Sequence, residues 1–252
     1  MKDLVHSAYA DLKPMFERYS RDEYYKYIFQ FEMDVFRERV DMVGFRELGR
    51  VLDAGCGYGQ WAVALAESNN ALTALDRDAG MVEITRTLAQ RFATENVVVK
   101  QHDLNAPLPY PDASFDGVWC WGVIMFVNRD LALREFRRVL KPGGKLLLGA
   151  VNSYGRWLLK LLTALNPLRP DPAVARMAWK ALRYGRRPNA FPSLTSSWGA
   201  ASLLARYGFT VEQTAIDGRI DVSGCGRSVP IFPPRFMLIE GNIEVLARKI
   251  AP

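Results

Sequence analysis

Residues 51–59 read VLDAGCGYG, and this stretch decides the fold. Val51 and Leu52 indicate an apolar strand at its start. Three glycines then stand at every second position, namely Gly55, Gly57 and Gly59. Glycine lacks a Cβ atom, so such a turn accepts positive φ angles and lets a ligand approach the backbone. The run WAVALAES, from Trp61, has helical composition, and strand, glycine turn and helix together predict the first unit of a nucleotide-binding α/β fold.

The spacing of these glycines narrows the choice of ligand. In the dinucleotide fingerprint G-x-G-x-x-G the third glycine comes one residue later than it does here. Asp53, two residues before the first glycine, suits a cationic ligand group better than a pyrophosphate. The pattern resembles the first motif of the class I S-adenosylmethionine-dependent methyltransferases. The resemblance implies that the acid lies under the amino end of the cofactor, while Gly55, Cys56 and Gly57 carry its amino-acid part and ribose.

Two further acids continue the resemblance. The strand predicted over 71–75 ends in Asp76, whose carboxylate can accept two hydrogen bonds from a vicinal diol, at about the spacing of an acid that meets ribose hydroxyls. A β-branched strand over 97–99 is followed by Asp103 and Leu104. The resemblance implies that Asp103 accepts a hydrogen bond from the adenine amino group and that its neighbour packs on the ring.

The fourth signal is the stretch that follows residue 114. Residues 115–120 predict a fourth strand, and LREFRRVLKPGGKLLLGA predicts a helix, a Lys-Pro-Gly-Gly turn and a fifth strand. That run is typical of the same family. The four signals cover about residues 50 to 150 and imply a Rossmann-like three-layer α/β/α sandwich. Its mostly parallel seven-stranded sheet has an antiparallel C-terminal strand, with added N-terminal helices and a helical insertion after the fifth strand.

The cofactor implied is S-adenosyl-L-methionine, with S-adenosyl-L-homocysteine as product. The residue after the second acid and an apolar residue beyond it flank the adenine in the family, here Arg77 and Met81, although simple packing explains Met81 equally well. The predicted cofactor site collects residues from the ends of four strands: Asp53, Gly55, Cys56, Gly57, Asp76, Arg77, Met81, Asp103, Leu104, Cys120 and Trp121.

The candidate catalytic residues are aromatic, because histidine is scarce. The places after the fourth strand where many relatives carry histidine hold Met125 and Phe126, and the chain contains only His6 and His102. A histidine general base is therefore not predicted. The face of Trp121 suits a sulfonium or ammonium group by cation–π attraction, and packing under the next helix is the alternative.

Tyrosines flanking the core complete the catalytic candidates. An amphipathic helix is predicted over 22–39, and such helices fold over the cofactor in the family. Tyr25 is the favoured candidate there, beside Tyr19, Tyr24 and Tyr27, with a packing role as the alternative. After the fifth strand, Asn152 and Tyr154 are candidates for orienting the substrate.

The chain is predicted to divide into an N-terminal helical cap of residues 1–48 and a cofactor-binding domain of residues 49–252, with a lid-like helical insertion at 151–195. Between residues 156 and 190, eight basic residues stand against Asp171 alone, a net charge of +7, so the other residues carry −1 of the total of +6. This basic segment suits a lid with a solvated face, an RNA or other anionic partner, or, through 157–187, peripheral contact with a membrane.

Cysteine usage and hydropathy bound the remaining choices. The three cysteines, Cys56, Cys120 and Cys225, are scattered without metal-ligand spacing, so we expect no metal site. Few and unpaired cysteines also indicate a reducing, cytoplasmic compartment. There is no signal-peptide core at the start and no apolar run near the ~20 residues of a membrane span. The expected function is methyl transfer to an O or N nucleophile of a small metabolite or natural product. An RNA methyltransferase and a non-catalytic cofactor-binding scaffold are the alternatives.

Overall fold

Strands and helices alternate through the centre of the chain, as the glycine turn predicts. The computed structural model describes residues 12–18, 28–152, 197–231, 235–236, 239–240 and 242–251. Its helices, after the helical residues 12–18, are α1 (Met33–Met42), α2 (Gln60–Ser68), α3 (Ala79–Arg91), α4 (Arg129–Val139) and α5 (Ser197–Ala205). Its strands are β1 (Arg50–Ala54), β2 (Ala71–Asp76), β3 (Val97–Gln101), β4 (Phe115–Trp121), β5 (Leu140–Asn152), β6 (Phe209–Ile216), β7 (Arg235–Phe236), β8 (Ile239–Glu240) and β9 (Asn242–Lys249).

Seven of these strands form one sheet in the order β3-β2-β1-β4-β5-β9-β6. The strands β1 to β5 are parallel, and β9 runs antiparallel between β5 and β6. The predicted seven-stranded sheet with an antiparallel C-terminal strand is confirmed. The short strands β7 and β8 pair separately, within a stretch that the sequence did not divide into strands.

Helices cover both faces of the sheet, so its central strands are apolar on both sides. Along β4 the side chains alternate between two buried clusters, with Trp119 and Trp121 on one face and Val118 and Cys120 on the other. The first cluster packs against α1, α2 and α3, and the second against α4 and α5. Because β1 to β4 run parallel, the loops that follow them lie at a single edge of the sheet.

Two local predictions need correction. The N-terminal amphipathic helix was expected to run unbroken over 22–39, but residues 29–31 form a turn, Glu32 is extended and α1 begins at Met33. Its apolar face is as predicted, because Met33 and Phe36 are buried. The Lys-Pro-Gly-Gly turn is an irregularity at the start of β5, where Gly143 has φ +72° and the register with β4 shifts. The insertion at 151–195 lies outside the described residues beyond residue 152.

Candidate functional site

The carboxyl ends of β1, β2, β3 and β4 meet at one edge of the sheet. The chain leaves β1 toward β2 on one side, and β4 pairs with β1 on the other. In open α/β sheets, such a reversal of strand order opens a crevice at the carboxyl ends, and ligands bind there. Every predicted cofactor residue lies at the end of one of these strands, in the loop or turn that follows it, or in the first turn of α3.

The glycine turn after β1 is fixed by hydrogen bonds to β2. The backbone N–H groups of Gly55 and Cys56 both donate to the carbonyl oxygen of Leu75, at 2.8 Å each. The N–H of Gly57 donates to Oδ2 of Asp76 at 3.0 Å. The two motifs that the sequence suggested separately are thus joined into one rigid unit.

The three glycines of this turn differ in what surrounds them. A Cβ atom on Gly55 would lie 2.4 Å from Cγ2 of Val123, and one on Gly59 would lie 2.9 Å from the Cα atom of Thr85. A Cβ atom on Gly57 would meet no atom of the residues that the structure describes within 4 Å. All three have positive φ angles, of +96°, +52° and +87° in chain order. Protein contacts therefore require Gly55 and Gly59, whereas the described part of the chain leaves the space beside Gly57 open.

Asp53 is the most unusual polar group of the site. Its side chain is 1% exposed, and neither carboxylate oxygen has a hydrogen-bond partner among the residues that the structure describes. Burial, and secondarily the negative charge of Asp76, raises the pKa of Asp53 well above its usual value. A buried carboxylate without a partner is costly, and a cationic group removes that cost. The amino end of S-adenosylmethionine fits this requirement.

Asp76 closes the end of β2 and is partly engaged by the backbone. Its Oδ1 atom accepts from the N–H of Asp78 at 2.9 Å, and its Oδ2 atom from Gly57. Burial raises the pKa of Asp76. Each oxygen keeps lone-pair capacity, so a ribose diol can still donate to this carboxylate. Of the two predicted adenine neighbours, Arg77 is exposed and Met81 is partly buried against the core.

The loop after β3 brings Asp103 and Leu104 to the same edge. The N–H of His102 donates to the carbonyl oxygen of Asp76 at 2.8 Å, which fixes the start of this loop beside β2. Asp103 is exposed, and its Oδ1 atom accepts from the backbone and side-chain N–H groups of Asn105 at 2.9 and 2.8 Å. Leu104 is buried. An exposed acid beside a buried leucine is compatible with the predicted adenine contact, which stays a prediction.

The two cysteines of the predicted site are buried on opposite faces of the sheet. Burial, with a smaller contribution from Asp53, raises the pKa of the Cys56 thiol well above its usual value and that of Cys120 to about 12. Both therefore stay as neutral thiols at physiological pH. These two side chains therefore fill space in the site and do not act as nucleophiles.

Trp121 ends β4 inside an aromatic cluster. Its ring lies 4.6 Å from the ring of Trp61 and stacks on that of Trp119 at 6.1 Å, measured between centroids. The side chain is 6% exposed, so its contact with a sulfonium stays a prediction. The remaining catalytic candidates lie outside the described residues or have undescribed side chains: Tyr19, Tyr24, Tyr25, Tyr27, Asn152 and Tyr154.

Sequence reasoning missed Thr85 and Val123. Thr85 is fully buried in α3, and its hydroxyl lies 2.9 Å from the carbonyl oxygen of Gly57 and 3.4 Å from Sγ of Cys56. Its signal was a polar residue on a helix face otherwise formed by residues such as Val82 and Leu88. Val123, which follows β4, lies against Gly55 of the glycine turn. No sequence pattern pointed to that contact.

No group of three or more His, Cys, Asp or Glu side chains in the described ranges is arranged to hold a metal ion. No helix within those ranges combines the length and apolar character needed to cross a bilayer.

Comparison with known proteins agrees with this geometry. Residues 52–148, which contain β1 to β4 and most of β5, match the family described as "Methyltransferase domain". This part of the chain is a class I S-adenosylmethionine-dependent methyltransferase domain. The match confirms the predicted family, and S-adenosylmethionine is the methyl donor of such domains.

Two relatives and one solved structure illustrate the range of similar proteins. The 27-O-demethylrifamycin SV methyltransferase of Amycolatopsis mediterranei is 36% identical over 43% of this chain and 40% of its own length. The demethylmenaquinone methyltransferase of Staphylococcus aureus is 33% identical over 57% of this chain and 58% of its own length. The 4+2 cyclase SpnF is 20% identical, with a TM-score of 0.58 over 87% of this chain and 81% of its own.

These similarities stop short of the whole chain. The chain spans about half the length of the curated relatives that it matches, and the family match covers residues 52–148. The likeness to the cyclase shows the fold alone, since one fold carries many reactions. The acceptor must therefore be argued from the site.

Proposed function

We propose that this protein transfers the methyl group of S-adenosylmethionine to an oxygen or nitrogen nucleophile of a small-molecule acceptor. The observation that carries the proposal is the buried Asp53 carboxylate, whose two oxygens lack partners in the described residues beside an open glycine turn. In this proposal Asp53 holds the amino end of the cofactor and Asp76 its ribose hydroxyls. Asp103 and Leu104 receive the adenine, and Gly57 gives the ligand access to the backbone.

The bound cofactor supplies a methyl group already activated on a sulfonium. The protein then has to align the acceptor and exclude water. The titratable side chains of the described site are carboxyls and thiols whose pKa values are mostly raised by burial, and no histidine base stands after β4. An acidic phenol, a neutral amine or a carboxylate therefore suits this site better than an aliphatic hydroxyl.

The names of two relatives support a small-molecule acceptor, because rifamycin and menaquinone precursors are small molecules. The cap of residues 1–48 and the insertion of residues 151–195 complete the acceptor pocket in this proposal. The free cysteines of the described chain fit a reducing, cytoplasmic setting. The basic segment 156–190 keeps RNA as the competing acceptor, and a cofactor-binding scaffold without turnover is the competing class.

The test combines binding with transfer. Calorimetric titration should give binding of S-adenosylhomocysteine that Asp53→Asn weakens at least about tenfold, because a charge-assisted hydrogen bond is lost. Asp34→Asn, the same chemical change on a side chain of α1 that is 71% exposed, is the control. Transfer of a labelled methyl group is then measured against phenols, amines and total RNA. Labelling of RNA alone, or binding without any transfer, would contradict the small-molecule assignment.

A further inference from the structure

The segment that follows β4 has a composition unlike the rest of the site edge. Residues 122–127 read Gly-Val-Ile-Met-Phe-Val, six residues with no polar side chain except the thioether. Ile124 and Met125 are buried, within a single 3₁₀ turn over Ile124–Phe126. The segment therefore offers apolar contact at a place where the other strand ends offer carboxylates.

Phe126 is held in an exposed position. It exposes 67% of its surface, more than any other large hydrophobic side chain of the described residues. Its N–H donates to the carbonyl oxygen of Val123 at 2.8 Å, which closes the turn. A single exposed apolar residue is ordinary on a protein surface, so exposure alone assigns nothing. Phe126 differs from such a residue because the turn that carries it is anchored at both ends.

Both ends of the segment are fixed to predicted cofactor elements. At one end Val123 lies against Gly55 of the glycine turn. At the other end the N–H of Asn128 donates to Oδ1 of Asn105, whose own N–H groups bind the Asp103 carboxylate. The exposed phenyl ring is thus carried on a turn that joins the glycine turn to the loop after β3.

Open space lies at the start of the same segment. Gly122 has φ +71°, and a Cβ atom there would meet none of the described residues within 4 Å. Its N–H donates to the carbonyl oxygen of Gly149, so its backbone belongs to the ladder between β4 and β5. The predicted cofactor residues lie on β1, on β2 and the start of α3, in the loop after β3 and at the end of β4, and Gly122 continues this edge toward β5. That side is left for the acceptor.

We infer that Gly122 and Phe126 form an apolar acceptor subsite that takes a flat aromatic ring bearing the nucleophile, such as a phenol. The inference rests on the proposed function and names the chemistry of its acceptor. Gly122 leaves room for the ring over the end of β4, and Phe126 supplies an apolar contact at its edge. Polar aliphatic acceptors find no hydrogen-bonding side chain in this segment.

Equilibrium binding of 1-naphthol to the protein saturated with S-adenosylhomocysteine tests the inference, with naphthol fluorescence as the readout. Gly122→Ala, which fills the open space, and Phe126→Ala, which removes the apolar contact, should each weaken naphthol binding about tenfold or more. Their affinity for S-adenosylhomocysteine should stay at the wild-type value, since neither residue is assigned to the cofactor.

Two matched controls stand far from this edge. Gly143 has φ +72° and equally open surroundings, and Ile250 is 46% exposed, so Gly143→Ala and Ile250→Ala repeat the same chemical changes outside the site. Both should bind 1-naphthol like the wild type. Absence of naphthol binding by the wild type, equal effects of all four substitutions, or loss of cofactor affinity in Gly122→Ala would each overturn the subsite. Because this readout needs no turnover, naphthol binding without methyl transfer would count against the proposed function and leave the subsite standing.

Discussion

Arg39 of α1 and Glu244 of β9 form an ion pair that is completely buried. The Nη2 atom of Arg39 lies 2.8 and 2.7 Å from the two carboxylate oxygens of Glu244, and both side chains are 0% exposed. The Nη1 atom of Arg39 also donates to the carbonyl oxygen of Ile220 at 2.9 Å. Three separate parts of the chain therefore meet at one guanidinium, which joins α1 to β9 and to the segment that follows β6.

Removing one member of this pair should be much worse than removing both. Arg39→Met leaves a buried carboxylate without its counterion, which should lower the free energy of unfolding by about 3–5 kcal/mol. The double variant Arg39→Met, Glu244→Leu removes both charges and should recover much of that loss. Urea denaturation followed by circular dichroism measures the free energy of unfolding of the double variant and of the single variants Arg39→Met and Glu244→Leu. A double variant as unstable as the sum of two single variants would show that the charges do not depend on one another.

This pair also marks a limit of sequence reasoning. Arg39 lies on an amphipathic helix, where an arginine is ordinarily expected to face solvent, and its partner is 205 positions away. No spacing rule connects two such residues. The positions of the strands along the chain, by contrast, were predictable, because the apolar runs before Asp53 and Asp76 and the run over 115–120 each carried a signal of their own.

The glycine turn also separates what the sequence predicts from what only the tertiary structure shows. The sequence predicted that Gly55, Gly57 and Gly59 would form a ligand turn but treated them alike. Which of them meets a protein side chain depends on Val123 and Thr85, which come from distant elements. In the described structure, Gly55 and Gly59 are packed against other residues and Gly57 is not. The spacing of the three glycines in the sequence does not distinguish them.

Substitutions in this turn should therefore separate stability from binding. Gly55→Ala forces a Cβ atom against Val123 at φ +96°, and overpacking should cost about 1–3 kcal/mol of stability. Gly57→Ala should cost only about 1 kcal/mol, the penalty of a left-handed alanine, but should weaken S-adenosylhomocysteine binding about tenfold. Urea denaturation and calorimetry give the two quantities. Unchanged affinity in Gly57→Ala would mean that the ligand does not approach this residue.

Thr85 should support the same turn from α3. Its hydroxyl donates to the carbonyl oxygen of Gly57, so Thr85→Val leaves a carbonyl without this donor and should cost about 1–3 kcal/mol. Thr85→Ser keeps the hydroxyl and should retain most of the cofactor affinity that Thr85→Val loses. Thermal unfolding with and without S-adenosylhomocysteine compares them. Wild-type behaviour of Thr85→Val together with a loss in Thr85→Ser would assign the role of Thr85 to its methyl group instead.

Arg138 should hold the loop that carries Asp103 and Leu104. Its Nη1 atom donates to the carbonyl oxygen of Tyr110 and its Nη2 atom to that of Leu108, at 2.7 and 2.9 Å. Arg138→Gln removes these bonds and should increase amide hydrogen exchange over residues 102–114. Cofactor affinity should fall by several-fold as the loop loosens. The exposed Arg134 on the same helix gives a control variant, Arg134→Gln, which should leave exchange in the loop unchanged.

The buried Asp53 carboxyl should make cofactor binding depend on pH. Its pKa in the free protein is raised by burial, so protonation relieves a desolvated charge, whereas a cationic amino group favours the ionised form. Binding below that raised pKa must therefore release a proton, and affinity for S-adenosylhomocysteine should rise with pH until Asp53 is ionised in the free protein. Calorimetry in buffers of different ionisation enthalpy measures the released proton directly.

The raised pKa of Asp53 should also make the stability of the ligand-free protein depend on pH, in the direction opposite to cofactor affinity. The unfolded chain ionises Asp53 near pH 4, whereas the folded chain retains the proton to higher pH. Stability without ligand should therefore decline as pH rises from about 4 toward the raised folded pKa, and Asp53→Asn should remove that part of the decline. Saturating S-adenosylhomocysteine should remove it as well, because the ligand's amino group then pairs the charge. A decline that persists unchanged in Asp53→Asn would assign it to another buried group, with Asp76 the first to test, since burial raises its pKa too.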